Sequence, residues 1–192
     1  SGVSGVFTIG AIAELSNEIY VAFGTAVYKY NFGSDTWGSS LHTLPSTATD
    51  SLTARLNGTV YMIFFCDANY VDTTDGSSFN DRTTNVKYGA VWDDRLWGID
   101  NEGQLRWSFE PTGTWTNDAQ LPLPDGYVTD LFVARDAADN QILYASTKVG
   151  LWAHDASNSR FLPTDLDLPF HDDAGKGTSK WNTRTYFPVS YT

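Results

Sequence analysis

Four stretches of this chain lie over one another without a gap: "GTAVYKYNFGSDTW" (24–37), "CDANYVDTTDGSSF" (66–79), "EGQLRWSFEPTGTW" (102–115) and "KVGLWAHDASNSRF" (148–161). Each closes on Trp or Phe. The closing residues, Trp37, Phe79, Trp115 and Phe161, stand 42, 36 and 46 residues apart, a spacing that belongs to repeated supersecondary units. Upstream of each copy runs a second apolar segment: "EIYVAF" (18–23), "TVYMIFF" (59–65), "RLWGI" (95–99) and "QILYAS" (141–146). A third precedes these in "TARL" (53–56), "KYGAVW" (87–92) and "DLFVA" (130–134), and a fourth is expected near "LHTLP" (41–45) and "QLPLP" (120–124). Sustained 3.6-residue periodicity is missing, and Gly, Asp, Ser, Thr and Pro interrupt the chain every few residues, so almost no helix is expected.

Four short strands per unit predict an all-β fold, a β-propeller of four-stranded antiparallel blades, with about four and a half blades in this chain. The expected limits within a single domain, 1–192, are 8–48, 49–85, 86–126 and 127–174, with a partial blade at 175–192. The partial unit rests on matching "VWDDRLWGI" (91–99) to "KWNTRTYFP" (180–188), which places Trp181 on Trp92, Arg184 on Arg95 and Tyr186 on Trp97. At the other end "SGVSGVFTIG" (1–10) is expected to supply one outer strand. One strand does not replace two, so the ring is expected to be completed by tight five-bladed closure, by another chain, or by further sequence, with a fragment of a larger ring favoured. "TVYMIFF" is apolar at nearly every position because a middle strand of a blade is covered on both faces. The closing aromatics are expected to wedge between blades, where one ring buries about 150–250 Å².

Tyr30 and Trp37, followed by "LHTLP", resemble a Kelch repeat in their Tyr, Trp and Leu-Pro order. "TTDGSSF" (73–79) resembles the Asp-box turn of sialidase-like propellers, one residue short. Residues 86–192, through "KYGAVWDDRLWGIDNEGQLRWS" and "GKGTSKWNTRTYFPV", resemble propeller proteins of tailed bacteriophages, and that likeness implies a structural component of a virion or an extracellular assembly.

The chain carries a formal charge of −11 with a pI near 4.4, which repels phosphate backbones; no nucleic-acid partner is expected. The longest apolar run, Val60 to Cys66, is far short of the roughly 20 residues of a membrane-spanning helix, and no membrane insertion is expected. No basic, apolar leader stands ahead of Ser1, which points to a processed chain or a fragment and leaves the compartment open. The single Cys66 closes the apolar run and reads as a buried small hydrophobe.

Residues with catalytic chemistry are scattered. His154 takes the repeat position of Tyr30, Asp72 and Ser108, so it is expected to face solvent or fill a blade edge. His171 to Asp173 offer donors for a cation but lack further ligands, and a solvated loop is the better reading. "AGKGTS" (174–179) fails the phosphate-loop order because Gly177 separates Lys176 from Thr178. A glycosidase needs two facing carboxylates, yet the four glutamates, Glu14, Glu18, Glu102 and Glu110, do not recur as a pair. Asp93 and Asp94 fit a two-residue hairpin turn, as do Asn57 and Gly58. No Gly-x-Ser-x-Gly elbow occurs. Arg95 and Arg184 are expected to line a channel or to pair with turn aspartates.

No catalytic residue, metal or cofactor is therefore assigned. The expected function is a non-catalytic structural or adhesive module, in a virion or otherwise extracellular, with other protein chains of an assembly as partners and glycans as further candidates. A lectin-like propeller and a propeller glycosidase or lyase are the competing readings. The site positions named are the structural aromatics Trp37, Phe79, Trp115, Phe161, Trp92 and Trp181; no binding residue is named.

Overall fold

The computed structural model describes residues 9–136, 138–166, 171–172, 179–181 and 184–186. Every regular element among them is a β-strand. The strands form four antiparallel sheets, each a meander of consecutive segments, followed by a two-stranded piece, β18 (Ser179–Trp181) and β19 (Arg184–Tyr186). The chain divides into two compact units, 1–87 and 88–192.

In the first unit, sheet one comprises β1 (Ile9–Leu15), β2 (Glu18–Phe23), β3 (Ala26–Asn31), β4 (Thr36–Trp37) and β5 (His42–Thr43). Sheet two comprises β6 (Ala48–Leu56), β7 (Thr59–Cys66), β8 (Tyr70–Thr73) and β9 (Asn80–Arg82). β1 alternates strictly: Ala11, Ala13 and Leu15 are buried while Ile12 and Glu14 point outward. This period of two turns one face to a neighbouring sheet. Ala11, Ala13, Leu15, Tyr20, Ala22 and Val27 of sheet one pack against Met62, Phe64, Cys66 and Val71 of sheet two. Hydroxyls tie the layers together, Ser51 Oγ donating to the Ile12 carbonyl at 2.8 Å and Thr53 Oγ1 to that of Glu14 at 2.6 Å. At Gly76, whose φ is +70°, a Cβ would fall on the Tyr20 ring, so both the turn and the close approach require glycine there.

In the second unit, sheet three comprises β10 (Tyr88–Trp92), β11 (Arg95–Ile99), β12 (Gln104–Ser108) and β13 (Thr116–Gln120). Sheet four comprises β14 (Val128–Arg135), β15 (Gln141–Thr147), β16 (Gly150–Asp155) and β17 (Arg160–Pro163). Their shared core runs from Tyr88, Ala90, Trp97, Ile99 and Leu105 to Leu131, Val133, Leu143, Ala145 and Phe161.

Three of the four leading hairpins turn on two residues that both have positive φ: Ser16 and Asn17 (54° and 63°), Asn57 and Gly58 (46° and 83°), Asp93 and Asp94 (51° and 55°). This is the primed turn whose twist matches paired strands, and it bears out the turn assignments at Asn57 and Asp93. The fourth hairpin uses a longer loop held by Asp136, which accepts from the Ala138 and Asn140 amides.

The structure differs from the sequence expectation at two points. A complete lead strand, β1, precedes "EIYVAF", where the sequence offered only an outer strand ending at Gly10. The fourth strands begin one residue before the closing aromatic, at Thr36 and Arg160, or one residue after it, at Asn80 and Thr116, rather than at "QLPLP"; only β5 falls within "LHTLP". The aromatic faces its partner on the third strand, as in the pairings Tyr30 with Trp37 and His154 with Phe161, and that contact starts the strand.

Candidate functional site

The seam between sheets three and four carries a run of aromatic rings. Trp92, Arg95 and Trp97 project from β10 and β11 on the face that also carries Tyr88, Ala90 and Ile99, because residues two apart share a face and cross-strand partners face each other. Phe109 meets Trp107 edge-on at 5.3 Å, Trp107 lies 6.5 Å from Trp97, and Trp97 lies 5.5 Å from Trp92. Trp97 Nε1 donates to the Trp92 carbonyl at 2.9 Å, and Trp92 Nε1 donates to the Gln141 carbonyl at 3.2 Å, binding sheet three to sheet four. Arg95 lies over Trp107 with its guanidinium carbon 4.3 Å from the ring centroid and 5.7 Å from that of Phe109. It stacks on aromatics, a cation–π arrangement, where a channel position or a turn aspartate was expected.

His154 sits inside this run. Its ring is 5.2 Å from Trp97, 5.8 Å from Trp92 and 5.7 Å from Phe161, and its side chain is fully buried. The expectation of a solvent-facing or edge position is thus corrected: β16 turns His154 toward sheet three, opposite Phe161. Asp118 of β13 approaches Nε2 to 3.6 Å, too far for a hydrogen bond, and neither ring nitrogen has a hydrogen-bond partner. Burial pushes the imidazole below the usual histidine range, and the charges of Asp118 and Asp155 offset this only in part. A histidine held neutral by the fold contributes full stability above its ordinary pKa of about 6.5, and that contribution falls as pH drops through the window beneath it. Stability should therefore decline between pH 7.5 and 5, with a shallower decline in His154→Leu; chemical denaturation across that range measures both, and parallel slopes would remove His154 from the acid response.

The acidic side chains are largely committed to structure. Asp72, 1% exposed, receives Arg82 through Nε at 2.5 Å and Nη2 at 3.3 Å. Asp100, equally buried, receives Arg106 Nη2 at 2.7 Å and the amides of Glu102 and Gln104 at 2.9 Å each. Asp75 in the Asp-box-like turn accepts the Ser77 and Ser78 amides at 2.8 and 2.7 Å, which holds its carboxyl well below the usual range. Asp155 is lowered by Asn158 and, to a smaller extent, by Arg160. Burial pushes the Cys66 thiol up to about 11, the state of an inert core residue.

Sheet one presents the contrasting surface. Ile12 is 59% exposed, Phe32 64% and Leu41 42%. Two open hollows flank Phe32: one of about 530 Å³ on the outward face of β1 and β2, lined by Ile12, Glu14, Asn17 and Ile19, and one of about 470 Å³ by the edge of β3, lined by Glu18, Lys29, Tyr30, Ser39 and Leu41.

The six named aromatics divide. Phe161 is buried in the seam of the second unit and Trp92 packs against it. Phe79 packs into the core of the first unit, its ring stacked on His42 at 5.0 Å, while His42 Nε2 meets Asp81 at 2.9 Å. Trp37 is half-buried against Phe23 and Tyr30 of its own sheet, at 5.6 and 5.0 Å. Trp115 is half-buried ahead of β13. Trp181 lies in β18, and its side chain, with that of Arg184, is outside the described residues. Of the "HDD" segment, Asp172 pairs with Lys148 at 2.7 Å, and Asp173 is outside the described residues, as are Lys176 and Gly177. The sequence singled out neither Phe32 nor the hollows; a solitary Phe between Asn31 and Gly33 in a polar turn was the available signal.

No known family profile and no curated protein matches this sequence. Among solved structures, the fold is similar to the extracellular domain of a putative hybrid two component system from Bacteroides thetaiotaomicron, at 17% identity and a TM-score of 0.62, covering 89% of this chain and 23% of that one. A second, the extracellular domain of a putative one component system from the same organism, aligns at 17% identity and a TM-score of 0.63, over 88% and 23%. An auxiliary nutrient binding protein from that bacterium aligns at 12% identity and 0.56, over 88% and 47%. The chain spans less than half the length of each. These likenesses concern the arrangement of the sheets, and none of the three names a Kelch or bacteriophage protein.

Proposed function

We propose that this chain is a non-catalytic structural and adhesive module built on the β-propeller plan and working in an extracellular assembly, of which the virion implied by the phage resemblance is one instance. The observation that carries this reading is the outward face of sheet one. In each unit one sheet's face receives the next sheet: sheet two is covered by sheet one, and sheet four by sheet three. The outward face of sheet one has the same strand character and carries exposed Ile12 beside Ile19, so it suits a further four-stranded sheet of the same pattern, supplied by the polypeptide or by another chain of the assembly. Carboxylates engaged by arginines and turn amides support a scaffold rather than a pair of catalytic acids. Two of the similar structures are extracellular domains, which agrees with the location proposed.

Electron microscopy of the assembled protein is expected to show a ring of radial sheets with this face covered, and Ile12→Asp should loosen it. A screen with activated glycosides is expected to stay blank. Turnover abolished by one Asp or Glu substitution would overturn the reading in favour of a glycosidase or lyase.

A further inference from the structure

The fourth strand of sheet one is broken, whereas in the other three sheets it runs as one segment. β4 pairs with Tyr30 and Asn31, and β5 pairs with Ala26 and Val27. Between them the Gly38 amide donates to the Lys29 carbonyl at 3.0 Å and the Leu41 amide to the Val27 carbonyl at 2.8 Å. The outer segment thus advances three residues while β3 advances two, and the surplus residue bulges from the ladder. Bulges of this kind redirect side chains and recur beside binding sites.

The hollow of about 470 Å³ lies at this break and has the size of a small-ligand site. One wall is aromatic and open: Phe32 is exposed and meets Tyr30 edge-on at 5.0 Å, and the Tyr30 hydroxyl is held by Asp35. Glu18 and Lys29 supply an acceptor and a donor, bound to each other at 2.5 Å with both side chains 41% exposed. Their charges cancel, so the lining prefers neither anion nor cation. An apolar protein surface pressed onto the hollow would strip water from that ion pair without replacing its hydrogen bonds.

We infer that the hollow binds one neutral hexose unit of a glycan, its C–H face laid on Phe32 and two adjacent hydroxyls shared between the Glu18 carboxylate and the Lys29 ammonium. A sugar has one apolar face and a rim of paired donors and acceptors, which is the chemistry the hollow offers. This inference rests on the adhesive reading and names its target.

A broad glycan array probed with the purified chain, followed by calorimetric titration of the glycans retained, tests it. Binding of neutral glycans is expected, competed by the free sugar, weakened about tenfold in Phe32→Ala and several-fold in Glu18→Gln, and unchanged in Phe109→Ala, which removes an exposed ring from the other unit. Circular dichroism should show each variant folded. A blank array overturns the inference, as does retention of acidic glycans only, or binding that persists at full strength in Phe32→Ala. A blank array together with ring assembly that still depends on Ile12 ends the saccharide assignment alone, whereas glycoside turnover ends the module reading itself.

Discussion

Trp97→Ala should cost about 3–5 kcal/mol of stability, the range for emptying a large buried aromatic site. Trp97 is 2% exposed and sits among the rings of the seam. It packs on Trp92 and His154, stands against Trp107, and donates its indole N–H to the Trp92 carbonyl. Alanine would leave a cavity between the two sheets and strip His154 of one wall. Urea unfolding followed by circular dichroism measures the loss, with Phe32→Ala as a surface control expected to change stability by no more than about 0.5 kcal/mol. A loss below about 1 kcal/mol in Trp97→Ala would show that the aromatic run does not hold the seam.

The second large effect is expected at Arg82. Its side chain is 27% exposed and reaches water, whereas its partner Asp72 is 1% exposed. The consequences of removal are therefore unequal: Arg82→Ala strands a carboxylate in the interior and should cost about 3–5 kcal/mol. Arg160→Ala, which breaks a pair whose arginine is 59% exposed, should cost less than about 1 kcal/mol. The double variant Asp72→Leu with Arg82→Met should recover much of the loss, because apolar groups of similar volume often replace a buried pair without penalty. Equal losses in Arg82→Ala and the double variant would trace the effect to packing instead of stranded charge.

Much of the strand pattern was legible because its signals are local. Asn57-Gly58 and Asp93-Asp94 specify a primed turn by residue type alone, and "TVYMIFF" advertises coverage on both sides. The equivalence of third-strand positions was harder to read. The gap-free alignment sets Asp72 against Tyr30, Ser108 and His154, yet pairing puts Asp72 opposite Ile63, the place held by Leu105 opposite Ile99 and by Val27 opposite Ala22. β7 runs on to Cys66, three residues past Ile63, the place where β11 ends at Ile99, before the chain turns back, and an odd-numbered slip of this kind moves a residue to the other face. The same parity hid His154, whose neighbours across the seam come from a sheet some fifty residues earlier. The hollow beside Phe32 depends on where β4 ends and β5 resumes, which the Gly-Ser-Ser composition of 38–40 marks as irregular without giving its shape.

Each sheet is assembled from strands that follow one another directly, so every ladder can close within a few dozen residues of chain. Low sequence separation makes loop closure cheap in entropy, and it favours rapid nucleation at the hairpins over a search among distant segments. Within each unit, a chain organised this way can mature in order, with the first finished sheet offering a template face on which the second condenses.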